Sequence, residues 1–229
     1  KVKYLNPFKY FLFLKRKIVE SRKRYRLFSY KRKLNKVENV DELINLHFNF
    51  YSSFKHINYE MFKFLFSNFD NKPLNILETG SSAYGIKSSY LFLNYVKKFG
   101  GKFTTVDLNP DIRNEFLSFL NENIEFVVSD SVEYLSSMNK ADIKELDVVY
   151  LDSYDVDLNN PEPSENHGYN EFRSIEKYLK SGCLIAIDDT PKDYSMFSNL
   201  TESSTKIYKE RRKQFGNNYT PGKGAKIIL

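Results

Sequence analysis

Short apolar runs in this chain repeatedly end in acidic residues. Asp107 follows "KFTTV", Asp130 follows "IEFVVS", Asp152 follows "LDVVYL", and the pair Asp188-Asp189 follows "CLIAI". One run upstream, "LNIL" leads into Glu78, Thr79 and Gly80, and then into the small residues Ser81, Ser82 and Gly85. A carboxylate at the end of a second parallel strand can accept both hydroxyls of a ribose, so Asp107 is a candidate for that role. The competing use is as a helix cap, but Asn109 stands immediately before Pro110 and fits the cap better. Asp130 reads equally well as an N-cap, with Glu133 three residues on, or as a contact to the edge of an adenine ring. Asp152, Asp188 and Asp189 would repel one another at neighbouring strand ends unless a cation or a proton holds them together. Oxygen-only ligands of this kind suit Mg²⁺, Mn²⁺ or Ca²⁺ rather than zinc.

Glycine and serine let a backbone approach a ligand closely, and a helix that follows offers free N–H groups. The loop "ETGSSAYG" therefore has the makings of a nucleotide cradle. It is not the G-x-G-x-x-G of dinucleotide folds, and it lacks the Lys-Ser/Thr pair of a P-loop.

To bring these residues together the chain needs a parallel sheet. Strands are expected at 74–79, 102–107, 124–129, 147–152 and 183–188, with helices at about 86–98, 110–121, 131–138 and 166–180. Alternation of this length gives an α/β fold with helices on both faces, and ligands bind at the carboxyl ends of the strands where strand order reverses. Before the sheet, residues 41–69 repeat their apolar residues at helical spacing and predict two packed helices. His47 and His56 lie there without matched ligands nearby and read as packed or surface histidines.

The net charge of +6 over 229 residues is unevenly spread. Residues 1–36 hold 14 Lys/Arg against one acid, Glu20, leaving 21 basic and 28 acidic residues for the rest. The arm reads as one or two basic helices with Phe, Leu and Tyr on one side. It is expected to be either a linker or a peripheral contact with an anionic membrane surface; the interleaved apolar residues make nucleic acid the less fitting partner. No run reaches the roughly 18 apolar residues of a spanning helix. A single cysteine, Cys183, excludes an internal disulfide framework and fits a reducing, cytoplasmic setting. The divisions expected are a basic arm over 1–40, packed helices over 41–70 and the α/β domain over 71–229.

The ordered segments "ILETGSSAYG", "TTVDLNP", "FVVSDSVEYL", "VVYLDSYD" and "LIAIDDTP" resemble the motifs of class I S-adenosylmethionine-dependent methyltransferases, with a Rossmann-like sheet. The last two are most similar to the divalent-metal-dependent O-methyltransferases of catechol, caffeoyl-CoA and sugar type. The resemblance spans about residues 70–190. It implies that Glu78, Gly80, Ser82 and Gly85 shape the loop around the methionine moiety, that Asp107 holds the ribose, and that Asp130 with Ser131 meets the adenine. It implies a divalent metal, Mg²⁺ first, on Asp152, Asp188 and Asp189. Where catechol-type enzymes carry a lysine base three positions after the first metal ligand, this chain has Asp155; His167 is the alternative base. The long polar segment between the fourth strand and its helix favours a sugar or glycan hydroxyl as acceptor, with another small molecule as the alternative. Two rival functions stand beside this one: a nicotinamide- or nucleotide-sugar-binding Rossmann enzyme, and a non-catalytic RNA-binding or scaffolding domain. The resemblance also implies a final pair of strands, for which residues 203–229 leave little room; a lid-like helix and one short element are expected instead, with Gly222-Lys223-Gly224 either hinging a loop or opening a helix.

Overall fold

The computed structural model describes residues 7–81 and 86–228. In chain order it has helices α1 (Pro7–Leu34), α2 (Val40–Tyr51) and α3 (Ile57–Ser67), then strand β1 (Leu74–Thr79) and helix α4 (Ser88–Phe99). Strand β2 (Gly101–Asp107), helix α5 (Pro110–Phe116), strand β3 (Ile124–Val128) and helices α6 (Ser131–Ser137) and α7 (Lys140–Glu145) follow. The chain continues through β4 (Val148–Leu151), α8 (Glu162–Ile175), β5 (Leu184–Ile187), α9 (Glu202–Phe215) and α10 (Ala225–Ile228).

The five strands form one sheet in the order β3-β2-β1-β4-β5, every neighbouring pair parallel. This is the expected α/β, Rossmann-like arrangement, with its reversal of strand order between β1 and β4. Register aligns the strand ends: Thr79 pairs with Val106 and with Leu151, and Leu151 pairs with Ile187. Gly80, Asp107, Asp152 and Asp188 thus emerge along one edge of the sheet.

Side chains along each strand alternate between two cores, as a doubly covered sheet requires. Ile76, Phe103, Val148 and Tyr150 pack with α2, α3 and α4. Leu77, Val106, Val149 and Leu151 pack on the other face with Leu135, Ile143 and Ile175 of α6, α7 and α8. The first core is aromatic: Phe62 of α3, Phe92 of α4 and Tyr150 of β4 meet with ring centroids 5.5–5.6 Å apart. Offset and edge contacts at this range add to the burial of large rings, which gives the abundant Phe and Tyr a structural use. His47 is one of the packed histidines: it is fully buried, its Nε2 is 2.7 Å from the carbonyl of Ile86, and burial lowers its pKa to about 4.

Several boundaries differ from expectation. α5 stops at Phe116, where Phe119 N donates back to the Phe116 carbonyl at 2.8 Å and brings Phe119 and Leu120 onto the core. α8 begins four residues early, at Glu162, with Pro163 in its first turn where a proline costs no helical hydrogen bond. α7 was not anticipated; Asn139 caps it, accepting from Ala141 N at 3.0 Å. Within the basic arm, Pro7–Leu34 form a single helix, α1. Its carboxyl end docks on the body, where Tyr30 is buried and accepts from Asn94 Nδ2 at 3.1 Å. Among the described residues no helix is long and apolar enough to cross a membrane. After β5 the described residues contain helical elements and no strand, with α10 opened by the Gly222–Gly224 turn.

Candidate functional site

A cleft of about 980 Å³ lies over the carboxyl ends of β1, β2, β4 and β5. Gly80, Ser81, Asp107, Asp152, Ser153, Asp155, Asp188 and Asp189 line it from the sheet side, and Asn58 and Met61 of α3 with its cap His56 from the other. Its volume is at the upper end of the range for small-molecule sites.

Gly80 ends β1 with φ of +77°, and its N–H donates to the Val106 carbonyl at 2.8 Å. A Cβ there would fall 2.2 Å from the carbonyl oxygen of Asp152. The two strands at the reversal can approach this closely only with glycine at that position. Ser81, the next residue, donates its N–H to Asp107 Oδ2 at 2.9 Å, while Asn109 N donates to Asp107 Oδ1 at 2.8 Å. Asn109 accepts from Asp111 N at 2.9 Å, so it is the α5 cap, as its place before Pro110 predicts. Asp107 remains on the cleft wall with further lone pairs on both oxygens.

Glu78 does not face the cleft. It is fully buried and accepts hydrogen bonds from Ser88 Oγ (2.6 Å), Ser89 Oγ (2.5 Å) and Thr105 Oγ1 (2.7 Å). Burial pushes its pKa up to about 7 against the pull of those hydroxyls. Glu78 thereby ties the end of β1 to β2 and to the first turn of α4. Ser82 and Gly85 lie outside the described residues.

The acidic strand ends carry a feature that local sequence did not reveal. Lys223, from the segment before α10, is buried and forms ion pairs with Asp152 Oδ1 and, at 3.3 Å, with Asp189 Oδ2. Asp188 Oδ1 accepts from Asn58 Nδ2 of α3 at 2.8 Å. Burial opposes a charge on Lys223, but Asp152, Asp189 and Asp188 together raise its ammonium above the ordinary lysine value. Burial and the neighbouring Asp188 raise the Asp152 carboxyl, with Lys223 acting against them. With several carboxylates around one amine, the proton of the pair stays on Lys223. Among the described residues no three His, Cys, Asp or Glu side chains converge to hold a metal ion. The divalent metal expected on Asp152, Asp188 and Asp189 does not fit this donor set, because the buried ammonium of Lys223 contacts one oxygen each of Asp152 and Asp189 and would repel a second cation there, while Asn58 holds one oxygen of Asp188.

The other expected residues separate into two groups. Asp155 is exposed and lines the cleft from the segment after β4. Asp130 caps α6, accepting from Glu133 N at 3.0 Å, so the cap that its sequence allowed is formed. Ser131 and His167 stand behind the cleft in a polar chain: His167 Nε2 lies 3.0 Å from Ser131 Oγ and 2.8 Å from Ser153 Oγ. Ser153, which does reach the cleft, donates to Glu171 Oε1 at 2.7 Å. Burial would raise Glu171, but hydrogen bonds from His167 and Ser153 outweigh it and hold the carboxyl below its usual range. Lys223, Asn58, Ser153 and Glu171 are site neighbours that the acidic motifs did not indicate.

No family model matches the chain, and no curated protein sequence does. Among solved structures it is similar to the MycE methyltransferase of the mycinamycin biosynthetic pathway in complex with Mg and SAH, at 17% identity and TM-score 0.49, covering 66% of this chain and 39% of that one. A second crystal form of the same complex gives 16% identity and TM-score 0.49 over 81% of this chain and 48% of that one. The Methanococcus jannaschii fibrillarin pre-rRNA processing protein gives 23% identity and TM-score 0.36 over 62% of this chain and 55% of that one. The matched region thus spans 39–55% of the length of these proteins.

Proposed function

We propose that the chain is an S-adenosylmethionine-dependent O-methyltransferase whose acceptor is a hydroxyl of a sugar or glycan. The observation that carries this reading is the pairing, in one cleft, of Asp107 and Gly80 at the ends of β2 and β1 with Asp152, Asp155 and Asp188 across the reversal of strand order. The first pair suits a ribose and an adjoining chain, and the second set suits a polar acceptor. The missing G-x-G-x-x-G at the first loop weighs against a nicotinamide cofactor.

S-adenosylmethionine supplies a methyl group on a positively charged sulfur, which an acceptor oxygen takes in one in-line displacement. The chain's own contribution is positional and electrostatic. Asp107 accepts the ribose hydroxyls, with its orientation held by Ser81 N and Asn109 N. Asp130 commits one oxygen to capping α6 and keeps the other for an adenine amino group. Asp155, on the cleft wall and in contact with solvent, takes the acceptor's proton as the oxygen–carbon bond forms and the carbon–sulfur bond breaks. His167 acts from behind by orienting Ser153. The polar lining of Asn58, Asp155, Asp189, Thr190 and Ser198 offers acceptor hydroxyls several partners, which favours a sugar over an apolar acceptor.

Calorimetric titration of the full chain with S-adenosylhomocysteine, and separately with NAD⁺, tests this. Saturable one-to-one binding of S-adenosylhomocysteine with no heat from NAD⁺ is expected. Binding of NAD⁺ alone would assign the cleft to the nicotinamide class instead.

A further inference from the structure

We propose that Lys223 is the resident cation of this site: its ammonium stands where the acidic strand ends would otherwise gather a divalent metal, and the site works without one. Carboxylates at neighbouring strand ends need a positive charge among them, and the chain supplies one from its own carboxyl-terminal segment. The Lys223 Nζ bridges Asp152 Oδ1 and Asp189 Oδ2, and Asn58 Nδ2 donates to Asp188 Oδ1. Each of the three acids therefore has a donor within the protein.

The delivery of Lys223 is built into the surrounding backbone. Gly222 has φ of +136°, and a Cβ on it would lie 2.1 Å from the carbonyl oxygen of Asp189. On the opposite side, a Cβ on Gly168 of α8 would lie 2.3 Å from the carbonyl oxygen of Lys223. Gly224 N donates to Thr190 Oγ1 at 2.9 Å, which fixes the segment against the end of β5. A surface lysine that happened to reach an aspartate would need none of this. The segment is held between β5 and α8 along its length, and Pro221 through Ala225 are buried.

A bound ammonium differs from Mg²⁺ in what it permits. It donates hydrogen bonds and has no open coordination positions, so it cannot chelate two vicinal oxygens. Being buried, Lys223 does not touch the acceptor; it is a positioning residue that sets the charge and orientation of Asp152 and Asp189. On the methyl-transfer reading, to which this one consequence is tied, a single hydroxyl suffices as acceptor and a vicinal diol is not required. The cation assignment itself does not depend on the methyl donor.

Mn²⁺ is the probe that tests the assignment, with free ion followed by electron paramagnetic resonance on the full chain and thermal midpoints read in parallel. The wild type is expected to leave Mn²⁺ free and to bind S-adenosylhomocysteine equally with and without EDTA. Lys223→Met, which leaves the acids without their cation, is expected to bind Mn²⁺ about tenfold or more tightly than the wild type and to regain thermal stability when it is added. Lys223→Arg keeps the charge and is expected to behave as the wild type does. One Mn²⁺ held by the wild type and lost in Asp152→Asn would overturn the assignment, as would a folded Lys223→Met with no gain in Mn²⁺ binding. Should Lys223→Met not fold, the wild-type and Asp152→Asn measurements decide alone. Failure of S-adenosylhomocysteine to bind overturns the proposed activity while leaving the Mn²⁺ result to judge Lys223.

Discussion

Gly80 and Asp152 meet backbone to backbone at the reversal of strand order, so closely that a Cβ on Gly80 would sit 2.2 Å from the Asp152 carbonyl oxygen. Atoms at that distance must move, and the positive φ of Gly80 adds strain for any other residue. Gly80→Ala is expected to destabilise the fold by on the order of 3 kcal/mol, from backbone strain and overpacking together. Urea unfolding at fixed pH measures this. A variant as stable as the wild type would show that β1 and β4 are not packed as described.

Asp107 holds two backbone N–H groups and faces the cleft, so its structural and ligand roles must be separated. Asp107→Asn retains an acceptor oxygen for the backbone but turns one of its two acceptors into a donor. S-adenosylhomocysteine affinity is expected to fall by about tenfold or more, as loss of a charge-assisted pair implies, and the thermal midpoint to fall with it, because the new amide nitrogen can accept from neither Ser81 N nor Asn109 N. Equal affinity in the variant and the wild type would remove Asp107 from the site.

The sheet was legible because buried parallel strands are rich in apolar residues, and each strand here ends at, or within two residues of, a polar one. Leu74–Thr79 is read correctly to the residue for this reason, and the Asn109-Pro110 pair announces its helix start. Lys223 was not legible as a partner of Asp152. The two are 71 residues apart, and Gly-Lys-Gly by itself says only that the chain turns. Contacts between distant segments depend on packing that no local pattern encodes. The end of α5 failed similarly: Leu117, Phe119 and Leu120 continue an apolar spacing, but packing of Phe119 and Leu120 on the core takes them out of the helix.

Glu78 links stability to pH. Burial raises its pKa from 4.5 to about 7 in the folded chain, so the folded state holds a proton that the unfolded state releases. Its stabilising contribution is complete below the unfolded value, about 4.5, and is lost as pH rises through about 7. The full loss is on the order of 3 kcal/mol. Glu78→Gln, which cannot ionise, is expected to flatten the decline in urea midpoint between about pH 5 and about pH 8. Parallel declines in the two proteins would show that Glu78 is not the group that titrates.

Glu165 of α8 is buried, accepting from Tyr219 OH at 2.5 Å and from Arg211 of α9, whose Nε also donates to Tyr219 OH at 2.8 Å. This cluster ties α8 and α9 to Tyr219, four residues before Lys223. Removing only the cation leaves a carboxylate in a dry site with one neutral donor. Arg211→Met is expected to cost about 3–5 kcal/mol, the range for breaking a buried ion pair from one side. The double variant Arg211→Met/Glu165→Gln is expected to recover part of that loss, because the stranded charge is gone. Urea unfolding of the single and double variants measures both effects. A double variant less stable than Arg211→Met would mean that Glu165 acts by packing, not by charge.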